Sequence, residues 1–358
     1  MRNPSLHEKR NQQVLADVVR AYIETGEPVS SRAVAERHAE PLSSATIRNV
    51  MAGLEQEGYL YQPHTSAGRV PTGSGYRFYV QHVVESSEID PGDEALIRGE
   101  LAGRTPEGIM ERASHVLAAV SQALGIVVSP PVAKTVVEHL RFLLLPDGRV
   151  LVVLISRGGL TRDKVARLER SVTQEELDRT ADYLNRHFTG RTLEEIRADL
   201  TKRLARDRER YDQLVGNALV LCDPEFLGES PGRDVFVEGT AQIAAQREFA
   251  GQAQLQELLA AIETRKQLIA LLTSCIESPE PVHVQIGVPA LPGAGDGLAL
   301  VSAPYSLDGR VQGTLGILGP VRMRYDRAVT AVALVARLFG EARGVSLYGE
   351  RKEPPRPA

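Results

Sequence analysis

A short segment near the N-terminus carries side chains that suit recognition of DNA bases. Its apolar residues recur at the spacing of one buried helix face, at Ile47, Val50, Met51 and Leu54. The opposite face holds short or hydrogen-bonding side chains and one cation, and its candidate groove contacts are Ser43, Ser44, Thr46, Arg48 and Asn49. In the major groove of DNA, Arg pairs with guanine and Asn with adenine. The segment therefore predicts a base-reading helix, although an ordinary amphipathic helix with a solvated polar face has the same pattern.

Both ends of this helix are marked by residues with known terminal preferences. Ser43 or Ser44 can accept a hydrogen bond from the free N–H groups of the first turn. Gly58 suits the left-handed conformation that closes a helix, and Tyr59 is then expected to pack back on Leu54. The helix is accordingly predicted to run from the serines to just before Gly58.

A polar loop between two short apolar stretches follows the helix. Residues 59–61 and Val70 are the apolar stretches, and the loop between them contains four candidate phosphate contacts, His64, Thr65, Gly68 and Arg69. Small loop residues let backbone N–H groups approach phosphates, and an Arg side chain adds charge there. The loop is predicted to be the wing of a winged helix; a plain β-hairpin without contact to DNA is the alternative.

Two further helices are predicted upstream. Residues 13–25 carry apolar residues at helical spacing and end at Gly26, and residues 31–38 form a short second helix after Pro28. Three helices of this kind are typical of a helix-turn-helix whose third helix enters the major groove. The helix order and the hairpin together favour DNA binding over the two plainer interpretations.

The run SSATIRNVMAGLEQEGYLYQPHTSAGRVPTGSGYRFYV, residues 43–80, resembles the DNA-binding region of the heat-inducible transcription repressors of bacteria, the HrcA family. The stretch HTSAGRVPT followed by GYRFYV is far more specific than a generic helix-turn-helix. The resemblance continues in GTLGILGPVRMRY, residues 313–325, so it spans most of the chain.

The resemblance implies an α+β multidomain fold and a function on DNA. The fold would comprise an N-terminal winged helix and a GAF-like antiparallel-sheet domain, which a mostly helical inserted dimerisation domain interrupts. The corresponding segments are residues 1–88 (winged helix), 89–189 and 279–350 (GAF-like domain), 190–278 (inserted domain) and 351–358 (disordered tail). A homodimer would bind an inverted-repeat operator in double-stranded DNA upstream of chaperone genes, with the chaperonin as co-regulator and release on heat stress.

Composition places the chain among soluble proteins of more than one domain. Its 358 residues exceed the ~250 that a single core usually holds, and 42% of them are hydrophobic and 25% charged. The sequence has no apolar run near the ~18 residues of a membrane helix and no secretory apolar core at its start, which predicts a cytoplasmic protein without membrane association. The net charge of −4 and the near balance of charges over residues 1–80 predict modest non-specific DNA affinity and a need for two half-sites.

The rest of the chain alternates between helix and strand patterns. After a break at residues 86–92, Thr105 and Pro106 begin a helix that Gly125 is expected to end. Strand patterns follow at residues 125–129, 136–145, 149–156 and 161–168, and again at 282–287, 298–303 and 311–318. With a final helix over residues 324–343, these strands predict one antiparallel sheet that an insertion divides.

The insertion is predicted to be mostly helical. Thr173–Glu176 and Thr192–Glu195 are capping boxes, and the second opens a long helix towards Leu221. A short strand is expected at residues 234–238 and an amphipathic helix over residues 255–276. The apolar faces of these helices need a cover, which is either a second subunit or the chain's own sheet.

Motifs for catalysis, metal binding or phosphate cradling are not evident. The sequence has no G-x-x-x-x-G-K-[ST] motif, its eight histidines form no metal-binding pair, and Cys222 and Cys275 have no metal-ligand spacing. We therefore predict no enzyme, no cofactor and no metal site. The alternative to a heat-shock repressor is a winged-helix regulator that binds a small effector in its GAF-like domain.

Overall fold

The structure is a computed structural model of the 358-residue chain. It describes residues 9–38, 42–84, 88–103, 105–168, 171–206, 212–223, 234–246, 265–273, 276, 280–289, 297–307 and 312–341. The predicted tail at 351–358, residues 342–343 of the predicted final helix and the first part of the helix predicted over 255–276 lie outside these residues. Within them, helices and antiparallel strands are mixed, which confirms the predicted α+β class.

The N-terminal part of the chain forms three helices and a small antiparallel hairpin. These elements are α1 (Lys9–Thr25), α2 (Ser31–Arg37), α3 (Ser44–Gln56), β1 (Leu60–Tyr61) and β2 (Val70–Pro71). Their apolar stripes meet in a core that includes Val14, Val18, Val34, Ile47 and Leu54. The three predicted helices and the hairpin are thereby confirmed, with the first helix beginning four residues earlier and the second ending one residue earlier than expected.

The next helices lead from the hairpin into the rest of the protein. Thr72 caps α4 (Gly73–Tyr79), as its hydroxyl accepts a hydrogen bond from Gly75 N at 3.2 Å. After a π-helical turn, α5 (Pro91–Leu101) begins at Asp90, whose side chain caps it. Asp90 lies in the predicted break at residues 86–92, and α5 is not among the predicted helices, although an acidic cap followed by Pro is itself a helix start.

Helix α6 (Pro106–Ser121) starts at its predicted threonine cap but ends differently from the prediction. Gln122, with a φ of 55°, takes the left-handed position after the helix. Gly125 lies instead inside strand β3 (Leu124–Val128), so the expectation that it ends the helix is wrong. Gly125 permits close packing of α6 on β3, because a Cβ there would lie 2.0 Å from Ser114 O.

A five-stranded antiparallel sheet connects most of the chain. Its order is β7 (Val235–Glu238), β3, β10 (Gln312–Pro320), β9 (Leu298–Ser306) and β8 (His283–Ile286). One face packs against α6 and α12 (Tyr325–Glu341), and the other against α10 (Thr240–Ala244) and α11 (Arg265–Thr273). The first of these two layers belongs to the same hydrophobic core as the N-terminal helices.

Residues 132–222 have a second hydrophobic core of their own. Strands β4 (Val137–Leu144), β5 (Val150–Ser156) and β6 (Thr161–Ala166) form a three-stranded antiparallel sheet, covered on one face by α7 (Gln174–Phe188), α8 (Leu193–Arg206) and α9 (Asp212–Leu221). Asn185 of α7 fixes this cover: its Oδ1 accepts from Leu140 N at 2.8 Å, and its Nδ2 donates to Leu140 O at 2.9 Å.

This second core corrects the predicted division of the chain. The strands between residues 136 and 168 do not join the sheet of residues 282–318, so the prediction of one divided sheet is wrong. The expected start of the insertion, between residues 189 and 190, separates α7 from α8, which share one core. The physical reason is that an alternating pattern shows that a strand has a buried face without showing what covers that face.

The end of the predicted insertion also belongs to the five-stranded sheet. β7 pairs with β3. Just beyond the paired residues, Ser129 N donates to Asp234 O and Asp234 N donates to Ser129 Oγ, both at 2.8 Å. In α11, Leu268, Leu271 and Leu272 are buried against the sheet. Of the two covers considered for this helix, the chain's own sheet is therefore the observed one over residues 265–273. The separate core is inserted between two neighbouring strands, β3 and β7.

Candidate nucleic-acid interface

Helix α3 begins with a cap built from two hydroxyl groups. Ser43 Oγ accepts a hydrogen bond from Thr46 N at 3.1 Å and lies 2.9 Å from Thr46 Oγ1. Of the two serines, Ser43 is thus the cap and Ser44 is the first helical residue. Ser43 is exposed, whereas Ser44 and Thr46 are half-buried. At the other end, Gly58 has the predicted left-handed conformation, with a φ of 80°.

The face of α3 opposite its apolar stripe is open to solvent. Ile47, Met51 and Leu54 are buried, whereas Arg48 and Asn49 are exposed. Within the described part of the chain, the side chains of Arg48 and Asn49 have no hydrogen bond or ion pair. The guanidinium and amide groups are therefore available to an external partner, side by side near the start of the helix.

The loop between β1 and β2 is closed by the side chain of Gln62. Its Nε2 donates to Thr65 O at 3.0 Å and to Ala67 O at 2.8 Å, and Ala67 N donates to His64 O at 2.8 Å. His64 and Thr65 consequently lie exposed at the tip of a compact loop. Gln62 is not among the predicted site residues, because nothing in the sequence of a polar loop indicates which carbonyl groups one amide side chain will bond.

Gly68 lies against the connection between α1 and α2. Arg69 N donates to Val29 O at 2.8 Å, and Val29 N donates to Arg69 O at 2.9 Å. A Cβ on Gly68 would lie 2.3 Å from Val29 O, so only glycine allows this approach. Two of the residues predicted to contact phosphates therefore also dock the hairpin on the N-terminal helices.

Arg69 forms an ion pair within the protein. Its Nε lies 2.9 Å from Oε2 of Glu55, near the end of α3, and its side chain is 18% exposed. The guanidinium of Arg69 is thus largely buried beside a carboxylate, whereas that of Arg48 is exposed to solvent. In the sequence, the only indication of this ion pair is Glu55, the first acidic residue of α3.

The described residues lend no support to metal-binding or thiol chemistry. Within them, no group of three or more His, Cys, Asp or Glu residues is placed to hold a metal ion. Burial raises the pKa of the Cys222 thiol to about 12, which keeps it protonated and unreactive at neutral pH. None of the described helices is both long and apolar enough to span a membrane.

Comparison with known proteins associates nearly the whole chain with one family. Residues 107–329 match the family model described as the HrcA protein C terminal domain. The chain is 35% identical over 332 residues to the heat-inducible transcription repressor HrcA of Geobacter sulfurreducens, with 92% of this chain and 96% of that protein covered. It is 34% identical over 340 residues to the protein of the same name in Xylella fastidiosa, with 95% and 97% covered.

A solved structure shares the fold over nearly its full length. It is the crystal structure of a hypothetical protein that is 24% identical to this chain, with 93% of this chain and 98% of that chain covered and a TM-score of 0.61. At this identity the likeness concerns the fold alone.

Loss of either partner of the Arg69–Glu55 pair should loosen the hairpin. Arg69→Ala and Glu55→Ala are each expected to speed hydrogen exchange at the amide of Val29, which donates to Arg69 O. The expected factor is roughly fivefold, because a partly buried pair contributes about 1 kcal/mol to local stability. The double variant should add little to either single change. Native-state hydrogen exchange measures these rates.

Arg32→Ala and Glu36→Ala provide the matched control for this pair. Their side chains also form an ion pair, but they are 84% and 65% exposed. Neither substitution should change exchange at Val29, since exposed pairs contribute little. Fully additive effects of Arg69→Ala and Glu55→Ala would show that the two side chains do not interact in solution.

Proposed function

The chain belongs to the family of heat-inducible transcription repressors, HrcA, and we propose that it represses transcription by binding double-stranded DNA through a winged helix formed by α1–α3 and the hairpin. The observation that carries this proposal is the open face of α3, where Arg48 and Asn49 are exposed beside each other. A guanidinium and a carboxamide on one helix face suit the guanine and adenine edges of the major groove. The remaining elements of the winged helix hold that face in position.

The start of α3 contacts the sugar–phosphate backbone in this proposal. Ser43, Ser44 and Thr46 supply hydroxyl groups there, together with the backbone N–H groups at the start of the helix that Ser43 does not cap. Such contacts set the register of α3 in the groove without reading sequence.

The wing contacts the backbone on the other side of the groove. His64 and Thr65 at the exposed loop tip are its direct contacts. Gly68 and Arg69 act mainly by holding the hairpin against Val29 and Glu55. Contact with phosphate, which the sequence predicts for Arg69, is secondary to this structural role.

The proposed operator is an inverted repeat upstream of chaperone genes, from which heat stress releases the protein. The name shared by the relatives, heat-inducible transcription repressor, supports repression that heat relieves. The chaperonin acts as co-regulator in the cytoplasm, and unfolded protein that occupies the chaperonin ends repression. These roles require neither catalysis nor a cofactor. The five-stranded sheet and its helices form the GAF-like domain, and residues 132–222 form the inserted dimerisation domain.

One face of the three-stranded sheet, on which none of the described helices packs, offers a surface to a second copy of the chain. One cross-strand row on this face consists of Leu143, Leu151 and Val165, of which Leu143 is 44% and Val165 40% exposed. Helices α7–α9 pack on the opposite face. Neighbouring apolar side chains with this exposure favour association with a partner.

The charges of the same face are self-complementary. In the next row, Arg141 of β4 and Asp163 of β6 flank the central Val153. When two copies face each other across a two-fold axis parallel to β5, β4 of one copy lies opposite β6 of the other. Each Arg141 then faces an Asp163 of the other copy, and the two apolar rows face each other. An inverted-repeat operator requires two recognition helices related by such an axis. This face is our proposed dimer interface.

A second candidate function is the binding of a small effector to the five-stranded sheet. Ser302 Oγ, Ser306 Oγ and Thr314 Oγ1 are buried without a hydrogen-bond partner among the described residues. They share one face of β9 and β10, because Thr314 pairs with Pro304, which lies two residues from each serine. Buried hydroxyl groups without a partner are rare and unfavourable. Their missing hydrogen bonds, which a bound effector would supply, are the specific reason to keep this candidate.

Arg48→Ala and Asn49→Ala should each weaken operator binding by about 1–3 kcal/mol while barely changing binding to random DNA, because each removes base-specific hydrogen bonds. Fluorescence anisotropy measures both affinities on duplexes that hold, or lack, the repeat upstream of the chaperonin genes. Arg37→Ala on α2 is the control, since that side chain is 46% exposed and pairs with Glu24. Equal losses on both DNAs would show that Arg48 and Asn49 do not read bases.

Reversal of one charge on the proposed dimer face should weaken the dimer. Arg141→Glu or Asp163→Arg is expected to raise the dimer dissociation constant by about tenfold or more, because like charges then face each other. The double variant should dimerise again. Sedimentation measures the assembly, with Arg186→Glu on the helical side, 77% exposed, as the control. A double variant that is folded but remains monomeric would place the interface elsewhere.

Thr314→Val tests whether the hydroxyl of Thr314 lacks a partner in the free protein. Removal of an unpaired buried hydroxyl should preserve or raise the free energy of unfolding, by up to about 1–2 kcal/mol. Thr180→Val is the control, because Thr180 Oγ1 donates to Glu176 O at 2.8 Å, and its loss should be destabilising. Thermal unfolding measures both changes. If Thr314→Val lowers stability as Thr180→Val does, the hydroxyl is bonded in solution and the reason for an effector disappears.

A further inference from the structure

The N-terminal helices and the five-stranded sheet share one hydrophobic core. That core extends from Val14 of α1 through Tyr76 of α4 to Phe339 of α12. Within it, the rings of Tyr76 and Tyr325 contact each other with centroids 6.0 Å apart. The proposed DNA-binding helices are therefore packed on the sheet, and their orientation depends on the contacts at this junction.

Arg322 reaches from the sheet to the end of α1. Its Nη1 donates to Ile23 O, a carbonyl of the last helical turn, at 3.2 Å. The guanidinium also lies against Gly26, where a Cβ would be 2.7 Å from Nη1. Gly26 has a φ of 71°, a left-handed conformation that favours glycine, and a Cβ there would displace the Arg322 guanidinium. A cation at this end of α1 also interacts favourably with the helix dipole.

The turn that carries Arg322 is held firmly between β10 and α12. Val321 N donates to Gly297 O at 2.9 Å, and Tyr325 OH donates to Val321 O at 2.7 Å. The Tyr325 side chain is completely buried. Arg322 is therefore attached to the rigid part of the sheet layer at its backbone and to α1 at its guanidinium.

The position of α1 determines the position of α3 and the hairpin. Ile47 and Leu54 of α3 lie in the same core as α1, and Val29, shortly after α1, is hydrogen-bonded to the hairpin. A tilt of α1 on the sheet would move the open face of α3 with it. In a two-fold dimer, that movement changes the distance between the two recognition helices, which the half-site spacing must match.

We propose that Arg322 is a positioning residue for operator recognition: it fixes the end of α1 to the sheet and thereby sets the half-site spacing that the dimer accepts. Arg322 acts through α1 and not through contact with DNA. The inference rests on the proposed DNA-binding function and adds to it the residue that controls the geometry of the two reading helices.

The test compares the full-length wild type with Arg322→Ala and Arg322→Lys on duplex DNA. The probes are an inverted repeat selected from random DNA by the wild type, the same repeat with its centre lengthened or shortened by a few base pairs, and a single half-site. Arg322→Ala is expected to lose about tenfold in affinity for the selected repeat. It should bind the altered repeats nearly as well as the selected one and keep the half-site affinity. Lys still donates to a carbonyl, so Arg322→Lys should restore part of the preference.

Arg337→Ala is the matched control, because Arg337 of α12 is 61% exposed and pairs with Glu341. It removes the same charge without touching α1 and should behave as the wild type. Hydrogen exchange at the amide of Gly26, which donates to Tyr22 O, gives a reading that is independent of DNA. It should be faster in Arg322→Ala and unchanged in Arg337→Ala.

The outcomes separate this inference from the function on which it rests. Wild-type protein that selects no repeat from random DNA would overturn the proposed function. Wild-type protein that selects a repeat, together with an Arg322→Ala variant of unchanged spacing preference or unchanged exchange at Gly26, would overturn the role of Arg322. Equal losses of Arg322→Ala on the repeat and the half-site would overturn it as well, since they would reflect a damaged reading helix.

Discussion

Both faces of the five-stranded sheet carry apolar side chains, and both must be covered for the sheet to be stable in water. Leu315 and Ile317 of β10 face α6 and α12, whereas Leu318 faces α11. The layer that covers the first face continues without interruption into α4 and α1. The proposed DNA-binding helices are consequently part of the cover, and the packing that stabilises the sheet also orients them.

Features that depend on neighbours in sequence were predictable. The predicted caps at Ser43, Thr105 and Thr173 all formed, because a cap requires only a side chain and N–H groups two or three residues away. The strands were also located, but their partners were not. β4 and β5, like β9, are rich in apolar residues, and such a composition predicts a buried strand without identifying the element that packs against it. The distribution of strands between two sheets therefore became known only from the fold.

In the candidate site, too, some features follow from residues that are close in sequence and others depend on partners from distant elements. Helical spacing alone suffices to place Arg48 and Asn49 opposite the buried stripe of α3, and the structure exposes both. The partners of Gly68 and Arg69, which are Val29 and Glu55, come from other elements. A glycine and an arginine in a polar loop suit phosphate contact and hairpin docking equally well. Only their distances to those partners separate the two roles.

The inserted core leaves the five-stranded sheet and returns to it at adjacent positions. Val128 and Val235 are paired across β3 and β7, and Ser129 and Asp234 are bonded to each other just beyond them. The two ends of the insertion are thus held side by side by the sheet itself, and closing the chain there requires no particular length of intervening polypeptide. The insertion is in this sense a cassette. A short turn, or an unrelated dimerisation domain whose two termini lie close together, can replace the insertion between β3 and β7 without a change in the five-stranded sheet.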